Sequence, residues 1–152
     1  MDMQNILDNA MIAGRAERFK TSNQMTLGEM ILKLECVIAD VKRTEKEEYQ
    51  DPDIKFEFAA CHPVCLSSWR GSYAELAIEY AIDGKILKAQ EFLDMLKEAI
   101  GKTYCGYKGG DYIMGKATPM WVANNGDSGE TGVLDIIYDG YWVIIKTGKC
   151  EF

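Results

Sequence analysis

His62 is the only histidine of the chain, and it stands in Cys61-His62-Pro63-Val64-Cys65, three potential metal ligands within five residues. A structural zinc site wants four ligands in two separated pairs, and no second pair is present. Only Cys36, Cys105 or Cys150 is left to complete the set from a distance. We therefore expect no metal here, and a turn with buried thiols instead. A Cys nucleophile with a His base is an equally poor fit. Those partners normally converge from distant positions, and neighbours on a strand point to opposite faces. There is no Gly-x-Ser-x-Gly elbow, no Walker loop and no GxGxxG fingerprint. Carboxylates are plentiful, but nothing selects an acid/base pair, so no catalytic residue and no cofactor is expected.

Three other stretches carry groups suited to holding a ligand. Ser67-Ser68-Trp69-Arg70-Gly71-Ser72-Tyr73 sets a guanidinium among hydroxyls and rings. Arginine can grip a phosphate with two parallel hydrogen bonds and can stack on a base. Its plain reading is a surface loop. In Tyr104 to Tyr112, Lys108 beside Gly109-Gly110 offers an ammonium and bare amides to an anion, with Tyr112 as a stacking ring. The plain reading there is a β-turn. In Thr118 to Gly129, a strand carrying Trp121 runs into Asn124, Asn125, Gly126 and Asp127, whose amides and carboxylate can read a base edge or a ribose. The plain reading is ordinary turn chemistry. Taken together, Trp69, Arg70, Tyr73, Lys108, Gly109, Gly110, Tyr112, Trp121, Asn124, Asn125 and Asp127 supply stacking, charge neutralisation and edge reading, the needs of a small nucleotide site.

The elements that position these residues follow from periodicity. Residues 2–20 place Met3, Ile6, Leu7, Ala10, Met11 and Ala13 at three- and four-residue steps, with Phe19 closing the stripe. This amphipathic helix, followed by a polar break at 21–24, is a candidate oligomerisation element (residues 1–24); its plain reading is a helix that caps its own core. The ligand-binding domain then covers 25–152. Thr26-Leu27-Gly28-Glu29 has capping-box form, and the helix it starts should run to about Asp40. Residues 42–53 should be a charged loop. A half-buried strand is expected over 54–58, then irregular chain from Cys61 to Gly71, with Pro63, two serines and Gly71. A second strand is expected over 73–82, where Ala, Glu and Leu also permit helix. A helix over about 88–100 should stop at Gly101. The last third reads as strands at 103–107, 111–114, 119–123, 132–138 and 141–147. Asp139-Gly140 makes the turn of a C-terminal hairpin, with positive φ expected at both residues. Helices followed by a β-rich third predict an α+β fold with a mainly antiparallel sheet.

Composition narrows the partners. The 152 residues are 47% hydrophobic and 27% charged, enough for one domain with a real core. A net charge of −7 repels nucleic-acid backbones, so DNA and RNA are not expected. No apolar run is long enough for a membrane span, and the N-terminus lacks the pattern of a signal peptide. Five widely spread cysteines suit reduced thiols. The cytoplasm is the expected compartment.

The order TLGEMILKLE, SWRGSYAELAIEY, AIGKTYCGYKGGDYIM and TPMWVANNGDSGETG, over roughly residues 25–138, resembles phage-encoded proteins of the first Thoeris anti-defence family. The resemblance implies a sponge that sequesters cyclic ADP-ribose-type signals made by TIR-domain proteins without degrading them. Association with cyclic oligonucleotides at separate sites of a larger homo-oligomer, and action in the host cytoplasm, are implied as well. Arg70, Lys108 to Tyr112 and Trp121 to Asp127 fall on the matching segments. The helix at 2–20 lies outside them. The rival classes are an acidic protein-interaction module and a small hydrolase acting on the same signal.

Overall fold

A computed structural model describes residues 24–58, 60–69, 75–105, 111–123 and 131–150. The fold is α+β. Helix α1 (Leu27–Glu45) and helix α2 (Ala89–Ala99) accompany eight strands: β1 (Asp53–Phe56), β2 (His62–Ser68), β3 (Leu76–Ala81), β4 (Thr103–Cys105), β5 (Asp111–Ile113), β6 (Met120–Val122), β7 (Thr131–Tyr138) and β8 (Trp142–Lys149). The expected helix at 2–20 lies outside the described residues.

The capping box of α1 is formed. Glu29 N–H donates to Thr26 Oγ1 at 3.2 Å, and Thr26 N–H donates to Glu29 Oε1 at 2.9 Å. The helix runs five residues past Asp40 because Val41 continues the buried stripe of Leu34, Val37 and Ile38. A short 3-10 turn (Lys46–Glu48) then takes up part of the expected loop. At the end of α2, Gly101 has φ +78, as a helix stop requires.

Six strands form one sheet in the order β1-β8-β7-β6-β3-β2, and β4-β5 form a separate hairpin. The pairs β1/β8 and β3/β6 are parallel; β8/β7, β7/β6, β3/β2 and β4/β5 are antiparallel. The stretch expected to be irregular after Cys61 is in fact strand β2. Pro63 had argued against a strand, but β2 is an edge, where a missing N–H breaks no ladder, and the register shifts between Pro63 and Cys65. The C-terminal hairpin also differs in detail. Asp139 N–H donates to Trp142 O at 3.1 Å, so the two central residues are Gly140, with positive φ, and Tyr141, one place later than expected. Asp139 Oδ1 caps the turn by accepting from Tyr141 N–H and Trp142 N–H.

The sheet is strongly curled. Six strands about 4.8 Å apart would set the edges of a flat sheet about 24 Å apart. Here Phe56 N–H of edge β1 donates to Cys61 O, just before edge β2, at 3.0 Å. The Phe56 ring sits edge-on to Tyr80 of β3 with centroids 6.2 Å apart. Both helices pack on one face, over Leu76, Ile78, Met120, Val122, Val133, Ile136, Val143 and Ile145.

Glu57, where the chain leaves β1, staples the seam to β8. Thr147 N–H donates to its Oε1 at 2.6 Å, and Lys146 Nζ stands 3.1 Å from Oε2. The Thr147 amide, helped by the Lys146 ammonium, holds this carboxyl below the usual range. A depressed carboxylate contributes stability above its unfolded pKa and loses it as pH falls through the folded pKa. Glu57→Gln should therefore lower the melting temperature near pH 7 and shrink the gap to wild type near pH 3, around or below the ordinary carboxylate range. The effect is small, because the group faces solvent. Parallel melts at the two pH values check it.

Candidate functional site

The structure joins two of the three singled-out stretches through their tryptophans. Trp69 and Trp121 stack with ring centroids 4.0 Å apart and planes 7° from parallel. Both are fully buried, so neither presents an open face to solvent. Trp121 Nε1–H donates to Glu75 Oε1 at 3.0 Å, and Glu75 is itself 3% exposed. A buried carboxylate is stable only when hydrogen-bonded, so Glu75 and the indole fix each other.

Two loop stems flank this pair. The first is the β2–β3 hairpin, whose last rungs are Ser68 opposite Leu76 and Trp69 N–H donating to Glu75 O at 2.7 Å. It carries residues 70–74. The second leaves β6, where Ala123 N–H still pairs with Ile78 O at 2.9 Å, and returns at Thr131. It carries residues 124–130. The stems leave opposite ends of the three-residue strand β6, about 10 Å apart, with Trp121 at the midpoint.

Arg70, Tyr73, Asn124, Asn125 and Asp127 lie outside the described residues, as do Lys108, Gly109 and Gly110. Tyr112 is described and sits elsewhere. It faces Tyr104 across the β4–β5 hairpin, and both pack against the main core on the helix-covered side. Trp69 and Trp121 belong to a separate cluster with Ala77, Ala123 and Cys150. The third stretch is thus not brought to the tryptophan pair through Tyr112.

The Cys-His-Cys segment behaves as packing. His62 is buried, and its Nε2 lies 3.0 Å from Asp83 O. A carbonyl only accepts, so Nε2 is the donor, and Nδ1 has no partner among the described residues. Cys61, just before β2, is buried, whereas Cys65, four residues on, is exposed. Burial, with Glu79 nearby, pushes the Cys65 thiol up, and a hydrogen bond with Asp111 does the same to Cys105. Raised thiols are poor nucleophiles at neutral pH. Among the described residues no three His, Cys, Asp or Glu side chains cluster as metal ligands. One cleft bounded by described residues, of about 350 Å³, is lined by Glu45, Glu48, Asp51 and Asp53 with Lys88 and Tyr138. Its four carboxylates would oppose an anionic ligand.

Sequence reading singled out both tryptophans but missed Glu75 and the stack itself. An acidic residue among the alternating residues of 73–82 looks like a solvent-facing strand position, and nothing in the chain ties it to an indole forty-six residues away. Comparison with protein families, with curated proteins and with solved structures gives no match for this chain. No helix among the described residues is long and apolar enough to cross a membrane.

Proposed function

We propose that this chain is a binding protein that captures a small cyclic nucleotide signal of the cyclic ADP-ribose type and holds it unchanged. It would act as a phage-encoded anti-defence sponge in the host cytoplasm, with cyclic oligonucleotides as a further ligand class. The observation that carries the reading is the buried Trp69–Trp121 stack. It ties the stems of the two polar loops together through one buried, rigid pair. Arg70 follows directly on Trp69, and Asn124 and Asn125 follow directly on Ala123. In this reading Arg70 neutralises the pyrophosphate while Asn125 and Asp127 read a base edge or ribose. A sponge must outcompete a receptor for a scarce signal, so a submicromolar Kd, about −8 kcal/mol or better, is required. Charge-assisted hydrogen bonds, together with stacking on Tyr73 at about 1–3 kcal/mol per base, can supply it.

Calorimetric titration of a panel of cyclic ADP-ribose isomers and cyclic oligonucleotides tests this. Arg70→Ala should lose a charge-assisted contact of about 1.5–3 kcal/mol, which weakens binding roughly ten- to hundredfold. Asp127→Ala should reorder the isomers more than it lowers overall affinity. Ligand released by heat should be chromatographically intact, and a converted product would favour a hydrolase. No binding across the panel, or two folded variants that bind as wild type does, would overturn the site.

An acidic interaction module is the second reading. It is favoured by Leu32 and Ile113, at 67% and 71% exposed, on a chain of net charge −7. Ultraviolet absorbance separates the two, because a retained nucleotide raises the 260/280 ratio of purified protein and leaves on denaturation.

A further inference from the structure

The six-stranded sheet has an apolar second face. Ala77, Trp121, Ala123 and Cys150 are buried there with Trp69, and Leu134 packs against them. Neither α1 nor α2 belongs to this cluster; both lie over the opposite face. On this side of β7 and β8, neighbouring side chains fill the space beside two glycines: a Cβ at Gly132 would meet Cys150 Sγ at 2.5 Å, and one at Gly148 would meet Leu134 Cδ1 at 2.6 Å. An apolar sheet face that stays buried needs a layer over it.

The chain itself joins the sheet on this face. Gln24, the first described residue, is buried, and its Nε2 donates to Met120 O at 2.8 Å. The same Nε2 would stand 3.0 Å from a Cβ at Gly132, beside Cys150. Residues 1–23 lie outside the described residues, and the residue that follows them is thus anchored beside this face. Their sequence carries an apolar stripe of Met3, Ile6, Leu7, Ala10 and Met11 at helical spacing. A helix over 2–20 would be about 28 Å long. Strands β3, β6, β7 and β8 at about 4.8 Å spacing present a face only about 14 Å across between the outer strand axes. A helix of this length can cover the width of the face, and the apolar pattern and the anchored Gln24 agree with that placement.

We infer that residues 2–20 form a helix lying across the second face of their own sheet, with the stripe turned toward Trp121 and Leu134. Only residues 21–23 separate this helix from anchored Gln24. So short a connection keeps the stripe at high effective concentration over its own sheet and favours it over the stripe of a second copy. The inference is independent of the nucleotide reading and stands or falls without a ligand.

The test uses the full chain with Leu7 replaced by the photo-crosslinker benzoylphenylalanine. Irradiation should give a species of monomer mass whose crosslinked peptide contains residues of β6, β7 or β8. A crosslinked dimer would mean that the stripe serves a second copy. Linkage to α1 or α2, or no linkage at all, would mean that it does not lie on this face; each of these results overturns the inference. A second measurement reads the tryptophans. Leu7→Glu should shift their emission to the red and raise quenching by acrylamide, whereas Asn5→Glu, on the polar side of the stripe, should change neither. Unchanged emission and quenching in Leu7→Glu would also overturn it.

Discussion

Trp121→Ala should cost about 3–5 kcal/mol of folding stability, the usual range for truncating a fully buried large aromatic. Three losses combine at this position. The ring has no exposed surface, so its removal leaves a cavity between β3 and β7. Trp69 loses the ring stacked 4.0 Å from its own. Glu75 keeps its burial but loses the indole donor at 3.0 Å, and a buried carboxylate short of a donor is costly. Trp121→Phe separates these contributions. It retains an aromatic ring against Trp69 and gives up only the donor and part of the volume, so its cost should be about 1–3 kcal/mol. Urea denaturation should rank wild type above Trp121→Phe and Trp121→Ala lowest. A Trp121→Ala protein within about 1 kcal/mol of wild type would show that the stack is not a packing centre. Trp121→Phe carries functional information too. If the stack is a floor beneath the loops, the folded Phe variant should still bind a responsive nucleotide, more weakly. If the ring instead contacted ligand through a polar edge, the loss would be selective for one isomer.

The sequence disclosed some of this structure because certain signals are local. The Thr26–Glu29 capping box, the stripe of α1 and the Gly101 stop depend on residues within a few positions of one another, and each was legible. The hydrophobic alternation of β7 and β8 and the Asp139-Gly140 turn were legible for the same reason. Where the reading slipped, a distant partner decided the outcome. Pro63 looked like a strand breaker until β2 took the sheet edge, which no local pattern announces. Helix α1 outran its expected end because Val41 found a place in the core. The candidate site shows the same division. Its residue types were visible as three polar and aromatic stretches, yet the stacking of Trp69 on Trp121 and the burial of Glu75 against the Trp121 indole N–H are facts of topology. They depend on β3 lying parallel to β6, a pairing between segments more than forty residues apart in the chain. The Tyr112 hairpin makes the converse point. Its composition matched that of the other two stretches, but its packing set Tyr104 and Tyr112 against the main core instead.

Phe56→Ala should be the other severe substitution, again at about 3–5 kcal/mol, and its signature should be local as well as global. Phe56 is fully buried at the end of β1, stacked on Phe58 with centroids 4.8 Å apart and edge-on to Tyr80. These three rings fill the seam where the curled sheet brings its edges together. Phe58 also meets Tyr80 edge-on at 5.8 Å, so the cluster is a closed triangle and loses two of its three contacts when Phe56 is truncated. The backbone alone cannot hold the seam, because one Phe56–Cys61 hydrogen bond is worth only about 1 kcal/mol net. Phe56→Leu keeps most of the apolar volume and should lose clearly less than the alanine variant. Hydrogen exchange distinguishes a seam effect from general destabilisation. In Phe56→Ala the amides of Phe56 and Glu57, bonded to Cys61 O and Ile145 O, should lose more protection than those of the β7–β8 ladder. Uniform loss across all strands would mean that the curl is held elsewhere. A stability change under about 1 kcal/mol would mean that the aromatic triangle does not close the sheet.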